Sequence, residues 1–237
     1  PVPGVFAIPA SLFLRCDDMD AVPAKNKPSR RPAGERDPER TRATILAAAI
    51  EEFTIRGLDG ARVDDIAQRS GVNKRMIYYY FGDKNGLYLS VLESIYSDIR
   101  RAETKLHLTD LEPNEAMREL VRFTWRYFIE HPEFLSLLGT ENLHRAKHLK
   151  TSKDIRDLHS PLVGNITALL DRGVRARIFR SGVDAIQLYI TIASLGFFYL
   201  SNRHTLSTIF GRDLSDQKAL AERGRHIEEV VLGYLRP

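Results

Sequence analysis

Apolar residues recur at helical spacing from about residue 38 to the end of this chain, and no segment shows the sustained alternation typical of a β-strand. Helix-stop and helix-start residues divide the pattern, for example the glycines at 57 and 71 and the N-cap residues Asp37 and Asn73. The helices predicted in this way cover about residues 38–57, 63–69, 74–80, 84–105, 115–130, 133–149, 154–159, 161–176, 182–202 and 215–235. Residues 204–213 are expected to be irregular. The pattern predicts an all-α protein.

The first 36 residues differ from the rest, because they hold six prolines and show no helical or strand periodicity. A segment of this composition cannot offset its ordering entropy by burial, so a disordered tail is predicted for residues 1–36. Its basic residues Lys25, Lys27, Arg30 and Arg31 fit a solvated tail, which is favoured, or an arm that meets DNA phosphates.

The charge of the chain is unevenly distributed. The formal net charge is only +4, but 13 Lys and Arg residues stand against 9 Asp and Glu residues between Lys25 and Lys84. The basic excess therefore lies in that part of the chain. A local basic excess is typical of a module that meets phosphates.

The cysteine content and the hydropathy of the chain indicate its cellular location. Cys16 is the single cysteine, which excludes an intrachain disulfide framework and favours a cytoplasmic location. No apolar run approaches the ~20 residues that cross a bilayer, since the longest candidate, residues 186–200, is interrupted by polar residues and a glycine. No membrane partner is expected.

Residues 62–84, RVDDIAQRSGVNKRMIYYYFGDK, predict two short helices joined by a tight turn and followed at once by another helix. Such a pair binds DNA when the second helix enters the major groove with its N-terminal turns. Arg75 could bind guanine O6 and N7 in bidentate fashion. The predicted base contacts are Lys74, Arg75, Met76 and Tyr78. The predicted phosphate contacts, which position a protein without reading sequence, are Thr41, Arg62, Tyr79, Tyr80 and Lys84.

These motifs resemble the DNA-binding domain of the TetR/AcrR family of bacterial transcriptional regulators over about residues 38–95. The shared features are the D-I-A-x-x-S-G-V turn, the I-Y-Y-Y-F run and the D-K pair that opens the next helix. The resemblance implies a helix-turn-helix domain at residues 37–82 and a larger helical ligand-binding and dimerisation domain at residues 83–237, which begins with a linking helix at 83–105.

Three positions depart from the family pattern. Val63 stands where the family often has a hydroxyl residue, Tyr80 where it often has histidine, and Gly82 where lysine is frequent. The phosphate contacts are therefore expected to differ in detail from those of other members.

The resemblance implies a homodimeric repressor that binds a near-palindromic operator in double-stranded DNA and is released by a small-molecule effector, without cofactor or metal. The alternative is a nucleoid-associated or division-linked DNA-binding protein whose helical body binds a protein partner. An enzyme is not expected, because neither G-x-S-x-G nor a glycine-rich phosphate loop is present.

Two sets of residues in the C-terminal part are candidates for effector binding and dimerisation. Aromatic and polar residues on helices expected to line a cavity could contact the effector, although aromatics at helical spacing also suit a simple core. The effector candidates are Trp125, Phe128, Leu138, Asn142, Tyr189 and Phe197. The last two long helices are expected to form a four-helix interface with their partners through Ile190, Phe198, Ile227, Val230, Val231 and Tyr234.

Glu141, His144 and His148 would lie near one face of a helix that continued to residue 149, as a metal site requires. Basic residues surround them in the sequence. A solvated polar face is therefore favoured over a metal or ligand role.

Overall fold

A computed structural model describes residues 37–237, so the predicted disordered tail at residues 1–36 lies outside the described part of the chain. The all-α prediction is confirmed within residues 37–237, which contain no strand. The helices are α1 (Pro38–Gly60), α2 (Val63–Ser70), α3 (Lys74–Phe81), α4 (Lys84–Glu103), α5 (Pro113–Glu130), α6 (Pro132–Leu143), α7 (Ile155–Arg175), α8 (Ala185–Phe210) and α9 (Gln217–Leu235). Short 3₁₀ turns lie at Thr104–Leu106, Leu108–Asp110 and Leu149–Thr151.

Helix α1 begins and ends where its sequence signals predict. The Asp37 carboxylate accepts a hydrogen bond from the backbone N–H of Glu39 at 3.0 Å, which satisfies a free donor of the first turn. The regular helix ends at Gly57, whose φ of 65° breaks it, and one more helical turn follows to Gly60. Ile45, Ala49 and Phe53 are buried along one face of α1.

The connection from α3 to α4 is held by a tight backbone approach. Gly82 has a φ of 76° and turns the chain, and the Asp83 side chain then accepts a hydrogen bond from the backbone N–H of Gly86 at 2.8 Å. A Cβ atom on Gly86 would lie 2.1 Å from the backbone carbonyl oxygen of Phe81. Only glycine fits there without moving α3 relative to α4.

Helix α4 is the central element of the described chain. It packs against α1 and α3 of the N-terminal helices and against α5 and α7 of the body. Helices α5, α7, α8 and α9 pack together to form the rest of the body. Glu228 of α9 joins α9 to α5 by ion pairs with Arg122 at 2.8 Å and Arg118 at 3.1 Å.

Two helix boundaries in the body differ from those predicted. Helix α6 ends at Leu143 instead of continuing to residue 149, because Arg145 and Ala146 both have left-handed backbone conformations. Residues 155–175 form one helix with Pro161 inside it, where two helices were predicted.

Helix α8 runs to Phe210, through residues predicted to be irregular. Thr205, Ser207 and Thr208 donate their hydroxyl hydrogens to carbonyls three or four residues earlier. These local bonds keep the polar side chains compatible with the helix. Gly211, with a φ of 61°, then ends it.

Helix α8 differs from the expectation that no segment of the chain is long and apolar enough to span a membrane. Among the described helices, α8 alone is long and apolar enough to cross a membrane by length and composition. Core helices of soluble proteins meet the same criteria, and α8 packs against α5, α6, α7 and α9.

We predict that Gly86→Ala lowers the free energy of unfolding by about 1–3 kcal/mol or more, the usual effect of forcing an atom into a filled space. Chemical denaturation would measure the change. Gly139→Ala in α6 is the matched control, because a Cβ atom there meets nothing within 4 Å, and it should be neutral or stabilising by up to ~1 kcal/mol. Equal stability of the two variants would contradict the tight junction.

Candidate nucleic-acid interface and body cavity

Helix α3 is anchored by one face and exposes the other. Ile77 and Phe81 are buried, whereas Arg75 and Tyr78 are exposed and Tyr79 is 78% exposed. The Asn73 side chain accepts a hydrogen bond from the backbone N–H of Arg75 at 2.8 Å and so fixes the first turn. The structure thus places the predicted base-contact residues on the first two turns of an outward-facing helix.

Lys74 and Met76 are only half exposed. Lys74 Nζ lies 2.7 Å from Asp64 Oδ1 of α2. The hydrogen bond with this carboxylate raises the pKa of Lys74 above its ordinary value, although desolvation opposes the rise. A DNA base would have to compete with Asp64 for the ammonium group.

The predicted phosphate contacts lie in three different environments. Arg62 and Tyr79 are exposed, and the ring of Tyr79 meets that of half-buried Tyr80 edge to face at 5.3 Å. The hydroxyl of Thr41 donates to the Asp37 carbonyl oxygen at 3.1 Å. Lys84 Nζ donates to the carbonyl oxygens of Ala61 at 2.9 Å and Asp59 at 3.3 Å. Lys84 therefore also ties α4 to the α1–α2 connection, a role that the sequence did not reveal.

Arg42 is a further cationic candidate that the sequence prediction missed. Its guanidinium carbon lies 5.3 Å from the ring centroid of Phe81, so exposed positive charge from α1 stands beside the end of α3. A basic residue on the solvent face of α1 was the available signal, but the contact joins residues far apart in sequence.

Helix α2 is fixed on α1 by ion pairs. Arg69 of α2 lies 2.9 Å from Glu51 and 3.6 Å from Glu52. Glu52 is fully buried and also pairs with Arg56 at 2.9 Å. These contacts hold the first helix of the motif in a defined position relative to the core.

Glu141 and His148 do not form the solvated polar face that the sequence favoured. Both are buried, and Glu141 Oε2 lies 2.9 Å from His148 Nδ1. The other carboxylate oxygen accepts the backbone N–H groups of His148 and Leu149 at 2.8 and 3.0 Å. Glu141 thereby organises the turn after α6. No group of three metal-ligating side chains occurs in residues 37–237 outside the few undescribed side chains.

The histidine turn packs against the junction of the N-terminal helices and the body. The His148 ring meets Tyr88 of α4 edge to face at 5.1 Å, and Tyr88 meets Phe53 of α1 in the same way at 5.1 Å. The Tyr88 hydroxyl donates to the Leu137 carbonyl oxygen at 3.3 Å. Burial raises the pKa of Tyr88 well above its ordinary value. One buried aromatic cluster therefore joins α1, α4 and the turn after α6.

Most of the predicted effector residues do not line a described cavity. Trp125 and Phe128 are buried core residues, and Trp125 fills the space left by Gly224, where a Cβ atom would lie 2.9 Å from the indole. Half-buried Leu138 packs against the core. Asn142 is exposed and donates its side-chain amide to the Leu138 carbonyl oxygen.

The other two predicted effector residues lie beside cavities. Phe197 lines a cavity of about 330 Å³ between α6 and α8, together with Leu135, Leu200 and His204. Tyr189 lies under the Arg100 guanidinium, with 5.7 Å between the ring centroid and Cζ.

A second cavity, of about 310 Å³, lies between the end of α4, α5 and α7. We call it the Arg100 cavity. Its lining residues are Ser97, Arg100, Arg101, Glu103, Thr104, Leu108, Leu120, Asp157, Pro161, Leu162 and Asn165. A smaller cleft of about 180 Å³ adjoins it and shares Glu103, Thr104, Leu108 and Asn165. The sequence prediction missed this cavity, because it forms between helices that are distant in sequence.

Glu103 and Arg100 carry opposite charges inside this cavity. Glu103 Oε2 lies 2.9 Å from Arg100 Nη1, and both side chains are at least nine-tenths buried. Burial raises the pKa of Glu103 to about 7, although Arg100 opposes the rise. The carboxyl is therefore partly protonated at neutral pH.

The two predicted dimer helices divide their apolar residues between the core and the surface. Ile190, Phe198, Val230 and Tyr234 are exposed, and Phe198 is 60% exposed. Ile227 and Val231 were wrongly assigned to the interface, because they are 1% and 0% exposed within a single chain. They pack in the core and offer no surface to a second copy.

We predict that the proton held by Glu103 makes stability depend on pH. Its pKa is higher in the folded chain than in the unfolded chain, so the free energy of unfolding falls as pH rises from about 4.5 through 7. The loss is on the order of 1.4 kcal/mol for each unit of pKa difference. Denaturation at pH 5 to 8 should show a flatter profile for Glu103→Gln than for the wild type, while exposed Glu229→Gln should leave the slope unchanged. Parallel profiles for the Glu103 variant and the wild type would contradict the assignment.

Comparisons with known proteins agree with this geometry. The family model described as "Bacterial regulatory proteins, tetR family" matches residues 45–91. The one described as "Tetracyclin repressor-like, C-terminal domain" matches residues 113–231. The two matches cover the helix-turn-helix with the start of α4, and the body from α5 into α9.

Individual relatives match over most of their length. The HTH-type transcriptional repressor NicS of Pseudomonas putida is 43% identical over 198 residues, which are 84% of this chain and 93% of the relative. The HTH-type transcriptional regulator RutR of Escherichia coli K12 is 27% identical over 199 residues, 81% of this chain and 89% of the relative. The crystal structure of the TetR family transcriptional regulator PfmR from Thermus thermophilus has a TM-score of 0.59 at 24% identity, covers 83% of this chain and 97% of its own, and shows the same fold. The chain therefore belongs to the TetR family of bacterial regulatory proteins.

Proposed function

We propose that this TetR-family regulator is a homodimeric transcriptional repressor that binds a near-palindromic DNA operator and is released by a small-molecule effector. The observation that carries the proposal is the outward face of α3, where Arg75, Tyr78 and Tyr79 are exposed while Ile77 and Phe81 fix the helix to the core. A helix held in this way can enter a major groove without unfolding its support. The function is binding, not catalysis, as for its named relatives.

Recognition of the operator's base sequence depends chiefly on Arg75. It is exposed at the N-terminal turn of α3 and can reach a guanine edge. Lys74, Met76 and Tyr78 add contacts from the same two turns, with Lys74 leaving Asp64 to do so. Thr41, Arg62, Tyr79, Tyr80 and Lys84 contact phosphates around this helix, and Arg42 joins them from α1.

The dimer in this proposal forms through the exposed apolar residues of α8 and α9. Ile190 and Phe198 of α8 and Val230 and Tyr234 of α9 are all exposed in the single chain, and the two helices pack against each other. Large apolar side chains exposed on two neighbouring helices suit a self-complementary two-fold interface. The two recognition helices would then lie about one DNA turn apart, ~34–36 Å.

Helix α4 would transmit the effector signal. Its first turn is joined rigidly to α3 through Asp83 and Gly86, and its last turn carries Arg100 and Glu103 in the cavity. An effector that prefers one position of α4 would change the separation of the recognition helices. In this proposal residues 37–82 are the DNA-binding domain and residues 83–237 the effector and dimerisation domain of a cytoplasmic protein.

The alternative of a nucleoid-associated protein is not favoured. The matched relatives, which align over about nine-tenths of their length, are named as a repressor and a regulator of transcription. A repressor binds one or a few operators, whereas an architectural protein binds many scattered sites. Selection of genomic fragments by the purified chain distinguishes the two.

We predict that Arg75→Ala relaxes sequence preference, because it removes a bidentate base contact worth about 1–3 kcal/mol of discrimination. Tyr79→Phe should instead weaken binding to all duplexes by about the same factor, and this factor should be smaller than the loss caused by Arg75→Ala on the preferred duplex. The reason is that Tyr79→Phe removes only a hydroxyl that contacts a phosphate. Selection from a random duplex library gives the preference, and titration of operator and non-operator duplexes at several salt concentrations gives the affinities.

Arg126→Ala is the control for these variants, because Arg126 is exposed on α5, away from α3. It should bind operator as the wild type does. Unchanged selectivity of Arg75→Ala would show that α3 does not read the operator through this residue.

We predict that Phe198→Glu converts the dimer to a folded monomer, because each subunit then places a charge in the proposed apolar interface. Light scattering would give the mass, and operator affinity should fall at least about tenfold as the second half-site is lost. Leu143→Glu is the control, since Leu143 is 84% exposed outside α8 and α9. A dimer that survives Phe198→Glu would place the interface elsewhere.

A further inference from the structure

Arg100 is a buried cation whose hydrogen-bonding capacity is unused within the described chain. The residue is 7% exposed and lies in the last turn of α4. Nη1 is 2.9 Å from Glu103 Oε2, close enough for an ion pair, but none of Nε, Nη1 and Nη2 makes a well-oriented hydrogen bond to a described residue. The guanidinium carbon lies over the Tyr189 ring, 5.7 Å from its centroid.

A buried guanidinium without acceptors is costly, because it loses hydration that the protein does not replace. Glu103 compensates only in part, since burial raises its pKa to about 7 and it is partly neutral at physiological pH. No described acceptor, Glu103 included, therefore makes a well-oriented hydrogen bond to the cation in the Arg100 cavity.

We propose that Arg100 binds the carboxylate of a small monocarboxylic effector, whose apolar part lies against Leu108, Leu120, Pro161 and Leu162. A planar carboxylate matches the guanidinium fork and accepts two parallel hydrogen bonds from it. This inference rests on the proposed function, because it names the chemical class that would act through the helix joined to α3.

The charged groups around the cavity favour a monoanion over a phosphate. Glu103 and Asp157 line it beside Arg100 and Arg101, and Arg101 is also paired with Asp98 at 3.2 Å. A dianion would meet two acidic groups with one buried cation to hold it. The volume of about 310 Å³ lies at the lower end of the range for small-molecule sites.

Glu103 also predicts how binding depends on pH. A carboxylate on Arg100 is repelled by ionised Glu103 and favoured by the protonated form, so binding should take up a proton near neutral pH. Affinity should rise as pH falls through about 7, provided the ligand itself stays ionised. Arg101, paired with Asp98 at 3.2 Å, and exposed Asp157 are the other charged groups that line the cavity.

Benzoate is a suitable probe, with benzamide as the uncharged molecule of matched shape. We would measure the thermal unfolding of the full-length dimer with each compound at constant ionic strength, and operator release by fluorescence anisotropy. Benzoate should raise the unfolding temperature, with an apparent affinity at least about tenfold that of benzamide. Equal effects of the two compounds, or no effect of benzoate, would overturn the inference.

The double variant Arg100→Met/Glu103→Gln removes the guanidinium without leaving an unpaired carboxylate. It should lose the preference for benzoate over benzamide. Arg126→Met, on the exposed face of α5, should keep the full benzoate response. A benzoate response that survives the double variant would place the anion elsewhere.

Operator binding separates the failure of this inference from the failure of the proposed function. Specific operator binding without a benzoate effect refutes the carboxylate anchor alone. If the wild-type protein binds no operator specifically, the proposed function as a transcriptional regulator is refuted. Titration of benzoate at pH 6 and pH 8 completes the test, since stronger binding at pH 8 would contradict the role of Glu103.

Discussion

The burial of α4 between the N-terminal helices and the body is the constraint on which the rest of the described structure depends. It packs against α1, α3, α5 and α7, and its residues Leu87, Tyr88 and Val91 are fully buried. Because cores are close-packed, a shift at one end of a buried helix must be accommodated at the other. The helix can therefore carry a mechanical signal only as a nearly rigid body.

The tight connection between α3 and α4 couples any movement of α4 to the recognition helix. Phe81 and Gly86 approach too closely for any side chain at residue 86, and Asp83 caps the new helix. Helix α3 must then follow α4. The cluster of Phe53, Tyr88 and His148 ties the same region to α1 and to the turn after α6, which limits how α4 can move.

The sequence predicted the N-terminal helices well because their signals are local. Caps at Asp37, Asn73 and Asp83 and glycines at 57 and 71 act within a few residues of where they stand, and the observed boundaries of α1 to α4 follow them closely. The exposed face of α3 was also predictable, since two apolar anchors four residues apart determine which side chains point outward.

Predictions that depended on contacts between distant residues were less successful. Helix α9 has apolar residues on more than one face, so periodicity could not separate buried Ile227 and Val231 from exposed Val230 and Tyr234. Trp125 looked like a cavity residue because nothing in its own helix shows that Gly224 leaves space for its ring. The end of α6 depends on Glu141 accepting hydrogen bonds from residues seven and eight positions later.

The Arg100 cavity shows why such a site escapes sequence analysis and why it would nevertheless be retained. An arginine near the end of an amphipathic helix is ordinarily read as solvated, and only the approach of α5 and α7 buries this one. Replacement of both Arg100 and Glu103 by apolar residues of similar size would remove a desolvation cost and should favour the fold. A buried cation that weakens the fold yet faces a cavity is best understood through what it binds, because the missing acceptor can come from a ligand. In that arrangement the ligand stabilises the conformation in which α4 presents Arg100 to it. Binding relieves the desolvation cost of the unliganded Arg100 only in that conformation, so the ligand binds it more tightly than the alternative, as a switch requires.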